Sequence, residues 1–494
     1  MHHYPSMFGH VKEDSVAGIV VFLVALPLCL GIAIACGVPP VSGLVAGVVG
    51  GLVVPWISRS PLSVTGPAAG LTSIVLAEVS KVGLNGFLTA VVIAGVLQAL
   101  LGVLRAGQFT SLVPSAVIKG MLAAIGITIV LRQLPVAFGA SGGLTDIPNQ
   151  LNTGAVVIAL LSLALLYGWK HTPLTRFKLI SPALVVVVVA SVVAQWLGTM
   201  QGLALAADHY VDVPLGGVAA LASALPRPDF SLIGSPAVWM TGITVAIVAS
   251  IETLLSVQAV DRLDSLKRHS PPDRELVAQG VANAVSGLLG GLPVTAVIVR
   301  SGANVAAGAK ERLSALVHGA LLLVAVVFAG PLLNMIPLPC LAAVLIQVGL
   351  NLCKPALFAT QARLGLTQLL PFGLTIASVL ALDLLRGVIV GIAVGIAFVL
   401  YENSKRAVVA ERDAEGVWRM RFRRDGTFVS KPGILSTLDE VDDGQKVVID
   451  GTDEYIDHDV KEALATFAED GKHRNISVTI VGIDMAHAEG TGGH

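Results

Sequence analysis

Charge is what this sequence has least of. Only 13% of its 494 residues are Asp, Glu, Lys or Arg, against 54% apolar, where a soluble domain carries nearer a quarter charged. That deficit excludes a single water-soluble globule. It is also uneven: 28 of the 65 charged side chains lie in the 88 residues 407–494, about 32%, whereas residues 1–406 are about 9% charged. The lower density is one that hydrocarbon tolerates. Net charge divides the same way, +7 before residue 407 and −8 after it, so the formal total of −1 is a cancellation. Cysteine is scarce as well. Cys29, Cys36, Cys340 and Cys353 lie in or beside apolar stretches with no C-x-x-C spacing, which excludes a disulfide framework or a thiolate metal site and makes them small core hydrophobes. His2 and His3, at the extreme terminus, read as inert. The segment Met1 to Asp14 is polar and lacks the basic stretch and cleavage site of a signal peptide, so the first apolar run stays as a span. Nucleophile–base pairs, His/Cys clusters and a phosphate-binding loop are missing too. Hydrolysis and ATP-driven pumping therefore have no support, and the expectation is no enzyme, no cofactor, no metal and no nucleic-acid partner.

What remains is a polytopic α-helical membrane protein with a small acidic appendix. A helix needs about 20 apolar residues to cross a bilayer. Spans are predicted near 15–36, 41–58, 85–105, 114–131, 154–170, 178–198, 236–260, 276–292, 313–335, 338–354, 365–384 and 387–403. Two further apolar segments, 64–76 and 295–307, are too short and broken to cross alone. Counting both gives fourteen. With alternating topology and a cytoplasmic N-terminus, 17 basic residues fall at cytoplasmic ends and loops and four on the other side (Lys81, Arg132, Arg227 and Arg386), as the positive-inside rule requires. Omitting either short segment would invert part of the alternation.

Each short segment is the third of a set of seven, in repeats of about 15–200 and 236–404, and each opens on a Val-Thr pair, Val64-Thr65 and Val294-Thr295. Seven is odd, so the two units enter the membrane in opposite senses. Matched, interrupted segments in an inverted repeat point to a transport site. A half-helix that starts near the midplane leaves its first N–H groups without intrahelical partners and presents the positive end of its dipole. Two such ends facing one another bind a small anion without a dedicated lysine.

Only two charged residues sit deep in apolar sequence, Glu252 in AIVASIETLLSV and Arg300 in the second short segment. Ionisable groups at such depth are costly and mark function. Arg300 adds a permanent positive charge to a helix start that is already positive. Glu252 can take up a proton, or stay ionised beside Arg300 or a cation. Ser256 lies one turn on and shares its face, either as a further ligand or bonding its own backbone. Gln98, Gln258, Gln279, Asn283, Gln347 and Asn351 are expected to bond across helices, the glycines between Gly43 and Gly51 to let helices approach closely, and the loop Asp261 to Glu275 to be a solvated connector.

These residues resemble the sulfate permease (SulP) family of anion transporters, relatives of the animal anion exchangers that include prestin. The resemblance rests on ALPLCLGIAIACGVPPVSGL, LSVTGPAAG, SIETLLS, RELVAQGVANAVSGLLGGLPVT and RSGANVAAGAK, in that order. It implies a 7+7 fold with core and gate domains, an anion held between the half-helices, movement of the core against the gate, and a homodimer in the membrane lipid. Carried over by position, Thr65, Gly66, Pro67, Ala68 and Ala69 with Val299, Arg300 and Ser301 frame the anion. Glu252 and Ser256 match positions that hold sodium in the cyanobacterial bicarbonate transporter and are linked to protons in other members. The chain departs from the pattern at Leu28, where many sulfate and chloride members carry Gln, at Ile32, where they carry an aromatic residue, and at Val299, often Ser. The sodium-dependent bicarbonate branch lacks an arginine at position 300.

Residues 407–484 resemble a STAS domain, a small cytoplasmic α/β module. Lys446–Asp450 and Ile476–Val481 read as strands and 457–470 as a helix, with 485–494 left as a tail. Where family members often carry Asp-Ser-Ser-Gly, this chain has Asp457-His458-Asp459-Val460, so the usual phosphorylatable serine is absent. The combined expectation is a secondary active transporter of a small inorganic anion, bicarbonate before sulfate, in a symport driven by protons or sodium, in a bacterial inner membrane with both termini cytoplasmic. Rival readings are an anion exchanger, a passive channel, a dicarboxylate transporter and a nucleobase permease.

Overall fold

The computed structural model describes residues 7–108, 114–140, 143–172, 181–214, 217–382, 384–405, 407–413 and 416–485. His2, His3 and most of the expected tail lie outside these residues. The chain forms two compact units, one of residues 1–363 with 372–390 and one of 364–371 with 391–494.

The helices follow the apolar segments. In the first repeat they are α1 (Val11–Ala35), α2 (Pro40–Ile57), α3 (Thr72–Val103), α4 (Ser115–Ala137), α5 (Thr153–Gly168) and α6 (Pro182–Leu197); in the second, α7 (Pro236–Leu263), α8 (Pro272–Leu288), α9 (Ile298–Ala307), α10 (Leu313–Phe328), α11 (Leu338–Leu352), α12 (Leu366–Ala381) and α13 (Leu384–Lys405). Prolines at the first turns of α2, α6, α7, α8 and α11 mark their starts, where the missing N–H costs nothing. Helix α3 is two limbs. Gly83 breaks it at φ 71°, ψ 165°, a conformation that a residue with a Cβ adopts only at a cost. The limb before Gly83 is the first half-helix, and with the second limb counted separately the helices named here number fourteen among the described residues. That half-helix runs past the expected end at residue 76, because Glu78 and Lys81 within it conceal its continuation from a hydropathy reading.

A short strand precedes each half-helix, β1 (Thr65–Pro67) and β2 (Val294–Ala296). They pair antiparallel, with Thr65 opposite Ala296 and Pro67 opposite Val294. Small residues let the helices around them close up. A Cβ on Gly43 would lie 2.1 Å from the Cys29 carbonyl oxygen, and one on Gly51 would lie 2.5 Å from the Gly319 Cα. Polar contacts cross the helices as expected at Asn283, which donates to Gln98 Oε1 at 2.8 Å, and at Gln279, which donates to Thr65. Gln258 and Asn351 instead lie exposed. All four cysteines are free thiols, three of them buried.

The second unit contains a sheet in the order β3 (Val408–Arg412), β4 (Trp418–Phe422), β5 (Lys446–Asp450), β6 (Ser477–Val481), antiparallel at β3/β4 and parallel thereafter. Helices α14 (Lys431–Asp439) and α15 (His458–His473) share its core, in which Met420, Phe422, Ile434, Val447, Ile449 and Leu464 are buried. This is the α/β module expected from the sequence. Asp457 caps α15 by accepting from the Val460 N–H at 3.0 Å, and it also accepts from the Phe428 N–H. The residue at the head of the family signature is thus a helix cap here.

The connector after α7 is not simply solvated. Arg268 donates from Nε to Asp264 at 2.7 Å, from Nη1 to Glu311 at 2.6 Å and from Nη2 to the Lys310 carbonyl at 3.0 Å, with only 15% of its side chain exposed. Asp14 in α1 accepts from the Lys310 and Glu311 N–H groups at 2.7 and 3.0 Å. The mixed charges of this loop pair internally and lock it to the start of α10. Burial alone would raise Asp264, but its bonds from Arg268 outweigh that and hold it below the ordinary carboxylate value. Its contribution is therefore complete at neutral pH and is lost only as pH falls through that depressed value. Arg268→Ala should lower stability by about 2–3 kcal/mol at neutral pH, and the deficit, measured by thermal unfolding in detergent, should shrink as pH falls, first as Glu311, which burial holds above the ordinary carboxylate value, takes up a proton and then as Asp264 does.

Candidate functional site

The strand crossing decides where the half-helices begin. Antiparallel strands send the helices that follow them away in opposite directions, so both N-terminal ends lie at the crossing. The pairing is reinforced along one side. The Val297 N–H donates to the Val64 carbonyl at 3.0 Å, Ser301 Oγ accepts from the Val64 N–H at 2.9 Å and donates to the Val297 carbonyl at 2.8 Å, and Asn304 donates to the Leu62 carbonyl at 3.0 Å. Neither helix start has a side-chain cap: Ala68 precedes the turn Ala69–Leu71 that leads into α3, and Val297 precedes α9. Uncapped starts leave backbone N–H groups and the positive dipole end for a ligand.

Arg300, in the first turn of α9, is fully buried. Its guanidinium folds over Gly66, where a Cβ would sit 1.9 Å from Nη1, and Nη2 donates to the Pro67 carbonyl at 3.3 Å. Among the described residues Nε and Nη1 have no hydrogen-bond partner. The buried thiol of Cys29 lies near the same guanidinium. His318 in α10 lies near the same guanidinium; it is fully buried, and among the described residues neither ring nitrogen has a hydrogen-bond partner. Unpaired donors in a buried site carry a desolvation cost that an anion relieves.

Glu252, in α7, sits at the other half-helix. A Cβ on Gly70 would lie 2.5 Å from Oε1 and 2.8 Å from Oε2, so the carboxylate rests on the first turn leading into α3. Its Oε2 has no partner among the described residues. Glu252 packs on Gly70 while Arg300 packs on Gly66 and Pro67, so the two deep charges do not neutralise one another. Ser256 is buried one turn along α7.

The remaining expected site residues divide. Gly66, Pro67 and Ala68 are buried at the crossing and Ala69 is half-buried; they contribute backbone. The Thr65 hydroxyl is engaged by Gln279 Nε2 at 2.7 Å. Ser301 is a staple between backbones, its hydroxyl already used at both ends. Val299 is 42% exposed and its side chain stays outside the buried cluster. Sequence reasoning missed the line behind β1, in which Ser58 donates to Glu275, Gln279 donates to Glu275 at 2.9 Å, and the same amide reaches Thr65. It also missed His318 and Cys29, which in sequence are one histidine and one cysteine among apolar neighbours.

The fit of Arg300 on Gly66 gives a direct test. Gly66→Ala should push the Arg300 guanidinium off its seat, because the new Cβ and Nη1 claim the same space; the end of a flexible side chain can yield, so the cost in stability should stay within about 1–3 kcal/mol. Gly302→Ala, on the same helix as Arg300 but with nothing within 4 Å of its Cβ position, should be neutral or stabilising by about 0.5–1 kcal/mol. Thermal midpoints of the two purified variants check both.

Comparison with known proteins shows the family. Residues 11–365 match the model of the sulfate permease family. A putative sulfate transporter of Bacillus subtilis, YbaR, is 26% identical over 488 residues, covering 97% of this chain and 96% of that protein. The bicarbonate transporter BicA of Picosynechococcus is 27% identical over 409 residues, covering 79% of this chain and 69% of that one. In structure, the transmembrane domain of a cyanobacterial BicA matches at a TM-score of 0.66 and 24% identity, covering 78% of this chain and 98% of that one. SLC26A9 matches at 0.79 and 16% identity, covering 98% and 87%. With fourteen segments, two uncapped half-helices and a family match across most of its length, this chain is an integral membrane anion transporter that belongs to the sulfate permease family.

Proposed function

We propose that the chain is a secondary active symporter of a small inorganic anion, with bicarbonate the favoured substrate and sulfate next, driven by protons or sodium and working by alternating access. The observation that carries this is the meeting of two uncapped helix starts beside a buried arginine with unpaired N–H groups. The anion binds the free N–H groups of the first turns, with Arg300 as its fixed positive charge. Leu28 and Ile32 on α1 are buried and apolar, and one arginine balances one negative charge. Both favour a monovalent oxyanion over sulfate. Relatives named for sulfate and for bicarbonate transport are both among the matches, in keeping with these two as the leading substrates.

Glu252 gives the coupling its sign. Its carboxylate lies on the first half-helix like a tethered anion and competes there with the substrate. A proton or a sodium ion at Glu252, with Ser256 as a further oxygen, removes the competing charge and frees that helix start. Cation and anion then favour one another, which is the requirement for symport. The excess of basic residues at one set of loops supports cytoplasmic termini in a bacterial inner membrane, and a homodimer is the assembly expected of the family.

The experiment is uptake of labelled bicarbonate, sulfate and fumarate by the full-length protein in proteoliposomes under separate pH and sodium gradients. Gradient-dependent uptake of bicarbonate is expected, with Arg300→Ala abolishing it and Glu252→Gln removing the dependence on the driving cation. Uptake that only follows membrane potential, or that survives Arg300→Ala, would overturn the reading.

A further inference from the structure

Glu252 accounts for one half-helix only. Its neighbour Thr253 is fully buried, and its hydroxyl accepts from the Ala296 N–H at 3.3 Å. Ala296 is the last residue of β2, pairs with Thr65 of β1, and stands two residues before α9. Successive residues on a helix point about 100° apart, so at one level α7 touches both half-helices, Glu252 on the first and Thr253 on the second. A third polar contact lies farther along, where Thr241 donates to Glu78 in the first half-helix. Helix α7 is therefore fastened to both half-helices, and Thr253 is its fastening to β2.

We infer that Thr253 is the positioning residue that carries the effect of a cation at Glu252 to the second half-helix. The inference rests on the symport reading above and deepens it. A cation that settles the Glu252 carboxylate fixes the α7 backbone at this level. Through Thr253 the same backbone fixes the Ala296 amide, and with it the direction in which α9 presents its first N–H groups to the anion. Without the hydroxyl, the cation still frees the first half-helix, but the second is no longer held in register with it. The coupling between the two ligands weakens while each can still bind. Sequence inspection passes over Thr253, because a threonine in an apolar helix usually bonds its own preceding turn.

The test measures coupling as a reciprocal quantity. For the full-length purified protein, the equilibrium Kd of whichever labelled anion the wild type accumulates in proteoliposomes, bicarbonate or sulfate, is taken at zero and saturating driving cation. The half-saturating cation concentration is taken at low and high anion. Linkage requires both ratios to reflect one factor, expected at about fivefold or more in the wild type. Thr253→Val, which keeps the shape and loses the acceptor, should bring that factor below about twofold. Thr253→Ser, which keeps the hydroxyl, should retain most of it, and this rescue separates positioning from a general loss of packing. A wild-type factor in Thr253→Val, with Glu252→Gln still abolishing cation dependence, would overturn the role of Thr253 and leave the symport reading standing. Loss of coupling in Thr253→Ser as great as in Thr253→Val would overturn it equally. A wild type indifferent to Glu252→Gln would instead overturn the symport reading, and this inference with it.

Discussion

Three residue pairs of antiparallel strand, Thr65 to Pro67 against Val294 to Ala296, are the constraint on which the rest of the site depends. Irregular backbone inside a membrane protein must find its hydrogen bonds within the protein. Here each interrupted segment satisfies the other. That pairing holds the two repeats in register, sets where both half-helices begin, and turns their uncapped ends toward a common centre. The surrounding contacts serve the crossing. Gly50 comes so close to β1 that a Cβ there would lie 2.6 Å from the Thr65 carbonyl oxygen. Asn283 accepts from the Val294 N–H at 2.6 Å and donates to the Val294 carbonyl at 3.0 Å, which binds the edge of β2 to α8.

Around this frame the two deep charges take different duties. Arg300 does not reach out as a long flexible cation. It is folded onto the Gly66–Pro67 backbone, and among the described residues two of its nitrogens are unpaired, so the proposed binding of an anion there needs little rearrangement. Glu252 rests on the opposing helix start, where a carboxylate is electrostatically welcome and where an anion would also go. In the proposed symport, keeping them apart leaves each charge to its own ligand. A direct ion pair would have neutralised both and left the half-helices as the only attraction.

Much of this was legible in the chain. Fourteen segments, the matched short pair, the exceptional Glu252 and Arg300, and the strand–helix–strand pattern of the C-terminal module all follow from where charge is tolerated and where apolar runs break. Other features were hidden for definite reasons. Glu78 and Lys81 disguised the length of the first half-helix. Their charge is accommodated because Glu78 pairs with Lys81 at 2.7 Å and accepts from Thr241. The loop from Asp261 to Glu275 read as solvated because mixed charge in sequence does not say whether the partners face water or one another. Thr65 and Ser301 carried the right chemistry for anion ligands, yet their hydroxyls are used by Gln279 and by neighbouring backbone.

The sequence by itself determined that this protein lives in a membrane, that it is built of two opposed sets of seven segments, and that an anion is its natural ligand. Those conclusions need only transfer energies and the polarity of helix ends, which are local properties of a chain. Tertiary structure alone decided which atoms face the site. A side chain's direction depends on its neighbours across the fold, as when Gly66 leaves room for a guanidinium from residue 300. The joint attachment of Glu252 and Thr253 to two half-helices is of the same kind, since residues adjacent in sequence meet partners about 180 positions away, at Gly70, and only about forty away, at Ala296.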